Sequence, residues 1–541
     1  MNLLLPARIQ SLRWFIPGLL LLFLAATPLF TGVVEFTGDD HYYVANNPLV
    51  TSPELSALAE IWRRPMKIEY FPVTITSYAI EYRLFGGEVK GYHLTNLLLF
   101  ICIGLAARSL AIRLNQDPEQ PEDSSAILHL AGGATLLCLA HPLNVESIAS
   151  ISNRKELLYV LFGLLSLNSH LTRGRTPATL IATGILMVLA QLSKGSAVIL
   201  PMLLLFADLV RGTAPSIRRS LRPAALYAAV AAGIFIIQFR VALTAGVVDK
   251  SGSHGVFERI GGVFRAVNAM LVKFLYPVNL AYDYDLPWPD GIPLAESLLP
   301  ALLLLLLLWL VLRERWQLLA LCLLPLVAIL PYSNIVPLRH NMAGRMVFYD
   351  HYLLFAIVLC APLLTRMLLG FSDLWRRRAL IIMLLLTVGL AACDFRIYGF
   401  WQSRESLYRR IIAVSPGLPK GYLFLGKSYL EQGRHAEAIG VLRTIFTLED
   451  WYPTYLEAYR ELGNAYAYSG RYAEAEQEYR LHLQHLPRDR GSLQNLSATL
   501  IMQEKYGEAR EIILQWIGYY PEDQDARYNL QVCDERLGRG R

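Results

Sequence analysis

About eleven apolar runs, each close to the length that crosses a bilayer, limit this chain more than any other feature. They fall at roughly 14–34, 93–113, 126–142, 156–171, 177–192, 195–210, 222–243, 295–312, 316–334, 346–369 and 378–394. A bilayer core offers no water to unpaired backbone groups, so each run has to close its own hydrogen bonds as a helix. With 54% of its 541 residues hydrophobic and 17% charged, the chain is too apolar for an ordinary soluble protein. The first run continues too far for a cleaved signal peptide and reads as a retained anchor. The stretch 261–280, which contains Arg265 and Lys273, reads as an interfacial helix. The expected class is an all-α polytopic membrane protein.

Basic residues order the spans. With Arg8 and Arg13 on the cytoplasmic side, the same side receives Arg108 and Arg113, then Arg173 and Arg175, and then Arg211, Arg218, Arg219 and Arg222. Arg313, Arg315 and Arg376–Arg378 follow on that side, as the positive-inside rule requires. An odd number of spans then leaves the C-terminal third outside. The net charge of +6 is explained by these loops and implies no nucleic-acid partner. Five of the six cysteines, Cys102, Cys138, Cys322, Cys360 and Cys393, sit in apolar runs without zinc or redox spacing and read as packing residues.

After Cys393 the composition turns charged and Tyr-rich, with a period of about 34 residues. Tyr422, Leu425, Gly426, Tyr429, Gly433 and Ala438 recur in phase as Tyr459, Leu462, Gly463, Tyr466, Gly470 and Ala475. A third unit carries Leu493, Leu496, Leu500 and Ala509, with Glu504 where the others have glycine, so a different turn is expected there. These are tetratricopeptide offsets, and stacked units of that kind make an α-solenoid with a concave groove suited to polypeptides. The expected domains are a membrane domain over 1–396 and a repeat domain over 397–541.

On this map the loops with unusual polar residues share the outer side. Asp39-Asp40, introduced by Gly38, leaves the first span; an acid pair there needs water, a cation or a substrate. The bland reading is a helix cap; the sharper one makes one acid a general base, with Asp40 ahead of Asp39. His141-Pro142-Leu143-Asn144-Val145-Glu146 closes the third span and Asn153-Arg154-Lys155-Glu156 opens the fourth. There Glu146 pairs with Arg154 and Lys155 snorkels, or Arg154 and Lys155 meet a phosphate at headgroup depth. Lys194 lies among Ser193, Gly195 and Ser196, which leave room for a ligand. Arg339-His340-Asn341 and Arg345 are cations on the side that should be poor in them, and an anionic ligand explains them. Asp350, His351 and Tyr352 read first as buried hydrogen-bonding residues. The Tyr282–Pro289 loop suits either sugar stacking or an interfacial belt. Asp39, Asp40 and His41 lack the spacing of a metal site, so no divalent metal is expected.

The motifs Asp39-Asp40, Asn47-Pro48-Leu49-Val50, Tyr70-Phe71-Pro72-Val73 and Tyr92-His93-Leu94-Thr95-Asn96 resemble the start of bacterial tetratricopeptide membrane proteins and of the related transmembrane and tetratricopeptide O-mannosyltransferases. The resemblance continues through His141–Ser147, Asn153-Arg154-Lys155, Leu192-Ser193-Lys194 and Met342-Ala343-Gly344-Arg345 into the repeats. It implies a GT-C-like glycosyltransferase that takes a sugar from a polyprenyl-phosphate donor and passes it to an acceptor hydroxyl on protein. Asp40 or Asp39 would serve as base, and Lys194, Arg345, Arg154, Lys155 and His340 would hold the donor phosphate. His141, Glu146, Tyr70 and His93 would position substrate. The lipid-linked sugar would be the substrate with no further cofactor, membrane lipids would surround the spans, and the repeat groove would gather the acceptor. The setting implied is a bacterial inner membrane with the N-terminus cytoplasmic and the repeats periplasmic. A membrane-anchored scaffold would keep its phenotype without Asp39 and Asp40. A lipid-linked sugar transporter would instead carry ionisable groups near mid-membrane.

Overall fold

The computed structural model describes residues 4–31, 35–52, 54–66, 69–116, 124–172, 176–211, 214–246, 255–284, 286–333, 346, 348–448 and 454–539. They divide into two compact units, one running chiefly from the N-terminus to Ser403 and the other chiefly Arg404–Arg541. Among the described residues the regular structure is helical, as the apolar runs and repeats require.

In the first unit five helices are long and apolar enough to span: Val89–Asn115, Leu221–Thr244, Leu294–Leu312, Asp350–Leu369 and Asp373–Gly399. A sixth is reached if Ser125–Leu139 and Pro142–Ala149, bent by 60°, form one span. Four shorter apolar helices, Ser11–Ala25, Pro177–Ser193, Gly195–Val210 and Trp316–Tyr332, complete the set, so the count of eleven is not reached among the described residues. The stretch read as interfacial forms the helix Val256–Leu275, which is not among the spanning helices.

The bend has a local cause. Pro142 has no N–H to continue the helix, and Asn144 Nδ2 donates instead to the carbonyls of Cys138 and Leu139, at 2.9 and 3.0 Å. Irregular backbone is tolerated at membrane depth only where protein covers it, and residues 142–154 are all buried. Polar side chains also join neighbouring helices: Asn115 Nδ2 donates to the Pro362 carbonyl at 3.0 Å, and Asn168 Nδ2 to that of Ala106 at 2.9 Å. Leu294–Leu312 shows the opposite surface, with Leu298, Leu302, Leu305 and Leu312 exposed as an apolar face.

The second unit is three helix pairs, Pro419–Glu431 with His435–Ile445, Glu457–Tyr468 with Tyr472–His485, and Arg490–Met502 with Tyr506–Tyr519. Arg404–Val414 precedes them and Gln524–Arg536 follows. Ala438, Ala475 and Ala509 are fully buried where paired helices meet, and Tyr429, Tyr466 and Tyr479 fill the space between helices. The different turn expected at Glu504 does not occur. Gly433 and Gly470 both have φ +73, and Glu504 adopts the same left-handed conformation at φ +60. Each turn is closed by one bond, from Arg434, Arg471 and Lys505 N–H to the carbonyls of Tyr429, Tyr466 and Leu500, all at 2.9 Å. The closing bond and the packed helices therefore hold a side chain in a conformation that favours glycine, at about 1 kcal/mol. Glu504→Gly is expected to stabilise the third pair by about that amount. Hydrogen exchange across 499–508 in the full chain should slow, and faster exchange would contradict this account of the turn.

Candidate functional site

Four consecutive side chains at the start of the Arg154–His170 helix point to four different elements, because successive residues turn by about 100° around a helix axis. Arg154 is fully buried. It donates to Asn96 Oδ1 at 2.8 Å and to the Tyr92 carbonyl at 3.0 Å, and it pairs with Glu81 while lying over the Tyr78 and Tyr92 rings. The partner expected for Arg154, Glu146, faces elsewhere: its Oε1 lies 2.7 Å from His351 Nδ1, and its Oε2 accepts from the His351 N–H at 3.1 Å. Asn153 joins that pair, with Nδ2 3.2 Å from His351 Nδ1. Local sequence distance suggested the first pairing, but helix geometry turned Arg154 toward the core.

Lys155 lies beyond Arg154, partly buried, 3.8 Å from Glu69 and 3.3 Å from the Tyr43 hydroxyl, with its ammonium 4.7 Å from the Tyr43 ring. Tyr43 in turn donates to Glu69. Glu156 pairs with Lys194 and accepts from the Tyr332 hydroxyl at both carboxylate oxygens, 3.3 Å each. The Lys194 ammonium is flanked by the rings of Tyr332 and Tyr352, at 4.8 and 5.0 Å, which stack on each other at 4.1 Å. Burial lowers the affinity of Lys194 for its proton, and the Glu156 carboxylate acts in the opposite direction.

The acid pair is divided by its loop. Gly38 takes φ +50, and a side chain there would meet the Tyr282 hydroxyl at 2.9 Å, so only glycine suits the turn. Asp39 gives its backbone carbonyl to the N–H groups of Tyr42 and Tyr43 and leaves its carboxylate exposed. Asp40 is 1% exposed. Its Oδ2 accepts from the Thr37 N–H and hydroxyl at 3.1 and 3.2 Å, and its Oδ1 from the Ser152 N–H at 2.7 Å. This last bond ties the first loop to the segment that carries Asn153–Glu156. Burial pushes the Asp40 carboxyl from an ordinary 3.8 up to about 6, against the pull of the Thr37 and Ser152 backbone bonds, and the Asp39 charge adds to the rise.

The other expected site residues are dispersed. His141 stacks on Phe274 and its Nε2 lies 2.9 Å from the Phe274 carbonyl, on the Val256–Leu275 helix. Tyr70 donates to the Trp62 carbonyl at 2.9 Å, and its own carbonyl accepts from Gln238 at 3.1 Å. His93 is buried within the Val89–Asn115 helix, and its Nδ1 has no hydrogen-bond partner among the described residues. His340 and Arg345 lie outside the described residues. Of the expected cations, Lys155 is set against Glu69 and Tyr43, and Lys194 against Glu156, Tyr332 and Tyr352. Glu69, Tyr43 and Tyr332 were not among the residues singled out from sequence, and Glu156 was named there without a role. Two cations opening an apolar helix were the available signal, since each demands an acid somewhere in the fold.

An ionisable Asp40 raised to about 6 gives a definite sign of pH dependence. Between about pH 4 and 6 the folded chain holds that proton more firmly than the unfolded chain, so this group's contribution to stability falls as pH rises. The difference reaches roughly 3 kcal/mol above that window. Asp40→Asn removes the titration. Its thermal midpoint should therefore rise relative to wild type between about pH 4 and 6. A constant offset between the two proteins would contradict a buried, titrating carboxyl.

No family model matches the chain. It is similar to a protein O-mannosyl-transferase of Caenorhabditis elegans, with 24% identity over 424 residues, covering 75% of this chain and 58% of that protein. A Drosophila melanogaster protein O-mannosyl-transferase is 31% identical over 116 residues, 19% of this chain and 12% of its own length. One from Mus musculus is 29% identical over 147 residues, 24% and 19%. The match thus spans less than two thirds of each of these relatives. Among solved structures, ArnT from Cupriavidus metallidurans bound to undecaprenyl phosphate covers 97% of this chain and 88% of its own, at 15% identity and a TM-score of 0.38. MamA covers 27% of this chain and 78% of its own, at 21% identity and a TM-score of 0.25. The resemblance to O-mannosyltransferases carried by the motifs is matched by relatives named protein O-mannosyl-transferase.

Proposed function

We propose that this chain is a membrane glycosyltransferase that takes a sugar from a polyprenyl-phosphate carrier and passes it to a hydroxyl group of a protein acceptor. The observation that carries this reading is the exposed carboxylate of Asp39 on a loop that Asp40 ties to Ser152, next to the helix start that sets Lys155 against Glu69 and Glu156 against Lys194. Similarity to one protein O-mannosyl-transferase over 75% of the chain, and to others over shorter stretches, supports sugar transfer to a protein hydroxyl.

In this reading Asp39 is the base and Asp40 holds the loop. A base has to reach substrate, and Asp39 is the exposed member of the pair, whereas Asp40 accepts three hydrogen bonds from its own protein. The acceptor oxygen attacks the anomeric carbon as its proton passes to the Asp39 carboxylate. The bond from that carbon to the phosphate oxygen breaks, and its electron pair stays on the phosphate. Developing negative charge there is met by the Lys194 ammonium, with Lys155 nearby and Arg345 carried over from the family resemblance. Direct displacement inverts the anomeric centre. Arg154, fully buried against Glu81, acts as a structural residue in this scheme and not as a phosphate contact. The solenoid groove gathers the acceptor. The positive-inside pattern supports a cytoplasmic N-terminus, and an odd number of spans puts the repeats in the periplasm of a bacterial inner membrane.

Asp39→Asn is expected to lower transfer by about 10²- to 10⁴-fold with the chain still folded, since it removes the base and little else. Lys194→Met is expected to lower kcat/KM by about 10²-fold or more. The readout is mass spectrometry of glycosylated acceptors, with the full-length chain supplied to cells that lack the gene. Full transfer by Asp39→Asn, or glycans unchanged when the gene is absent, would overturn the reading.

A further inference from the structure

We propose that Glu156 acts through Lys194 as a positioning residue that shifts the site's preference from a phosphomonoester toward a phosphodiester, so that the spent lipid phosphate is released more readily. This rests on the lipid-phosphate reading of the site given above.

Lys194 already has an anion. Glu156 pairs with it, and the Glu156 side chain is completely buried. The Tyr332 hydroxyl donates to both oxygens of that carboxylate, so Glu156 is held where it is. The ammonium is held as well, beside the stacked Tyr332 and Tyr352 rings at 4.8 and 5.0 Å from their centroids. A phosphate that reaches Lys194 therefore does not displace Glu156; it shares the cation with a fixed negative charge.

That sharing makes binding depend on the charge of the ligand. A sugar-linked lipid phosphate is a phosphodiester with one negative charge. Once the sugar has left, the lipid phosphate is a monoester whose second ionisation lies near pH 6, so it carries nearly two charges in neutral solution. Repulsion from a fixed carboxylate scales with that charge and about doubles on going from donor to product. The Lys194 attraction scales in the same way, so the carboxylate subtracts about twice as much from the hold on the product as from the hold on the donor. The pair thus weakens the hold on the product at the moment the product forms.

The test uses the full-length chain in lipid nanodiscs and two probes, a polyprenyl monophosphate and a polyprenyl-phosphate hexose. Glu156→Gln is expected to bind the monophosphate about tenfold more tightly and to change the hexose diester by less than about threefold. In turnover this variant should show a lower KM together with a lower kcat and stronger inhibition by added monophosphate. Glu156→Asp draws the carboxylate back by one methylene and should tighten the monophosphate by about two- to fourfold; it carries the test if the Gln variant does not fold. A wild type that binds both probes with a ratio untouched by either variant would overturn this proposal alone. A folded wild type that binds neither probe would overturn the lipid-phosphate reading and this proposal with it.

Discussion

A guanidinium buried away from water has to be met by an acid, and the pairing of Arg154 with Glu81 fixes the orientation of the helix on which the site is built. Breaking such a pair from one side typically costs about 3–5 kcal/mol, because the remaining charge stays buried alone. Tyr78, Tyr92 and Asn96 reinforce it through ring faces and a hydrogen bond at 2.8 Å. With Arg154 committed to the interior, its neighbours have no freedom of rotation. Asn153 is delivered to Glu146 and His351, Lys155 to Glu69 and Tyr43, and Glu156 to Lys194.

Segments far apart in sequence are gathered by that one turn. The Ser152 N–H, just before it, receives Asp40 of the first loop at 2.7 Å. Thr74 on the Pro72–Phe85 helix donates to the Ser193 carbonyl at 3.1 Å, next to Lys194, and the Tyr78 hydroxyl donates to the Ile151 carbonyl at 2.7 Å. The bend at Pro142 supplies the return path, since it lets a buried loop carry Glu146 back toward His351. Buried polar groups joined in this way stiffen a site, because each loses a partner if any element moves. Exposed Asp39 is thereby carried on a loop whose next residue, Asp40, is pinned from two sides.

The fold was legible in the sequence where its signals are periodic and local. Apolar runs announced the helices, and the offsets Gly426, Tyr429 and Ala438 announced the repeats, because each repeat buries the same positions against its neighbour. Glu504 misled because its residue type suggested a different turn, whereas the packed helices impose the same one. The span count was less legible, since several apolar helices are short and one candidate is broken at Pro142. Asp39, Asp40, Lys155 and Lys194 stood out because charges at the edge of apolar runs are costly. Their partners did not: Glu81 lies 73 positions from Arg154 and Glu156 lies 38 from Lys194, separations that no local spacing encodes.

A cryo-EM map of the full-length chain with a bound polyprenyl-phosphate hexose would show which side chains hold the donor. Phosphate density is expected within hydrogen-bond distance of the Lys194 ammonium, with Glu156 still paired to it. The anomeric carbon should face the Asp39 carboxylate, and Arg154 should remain on Glu81. A lipid phosphate seated away from Lys194, with Asp39 turned from the sugar, would contradict it.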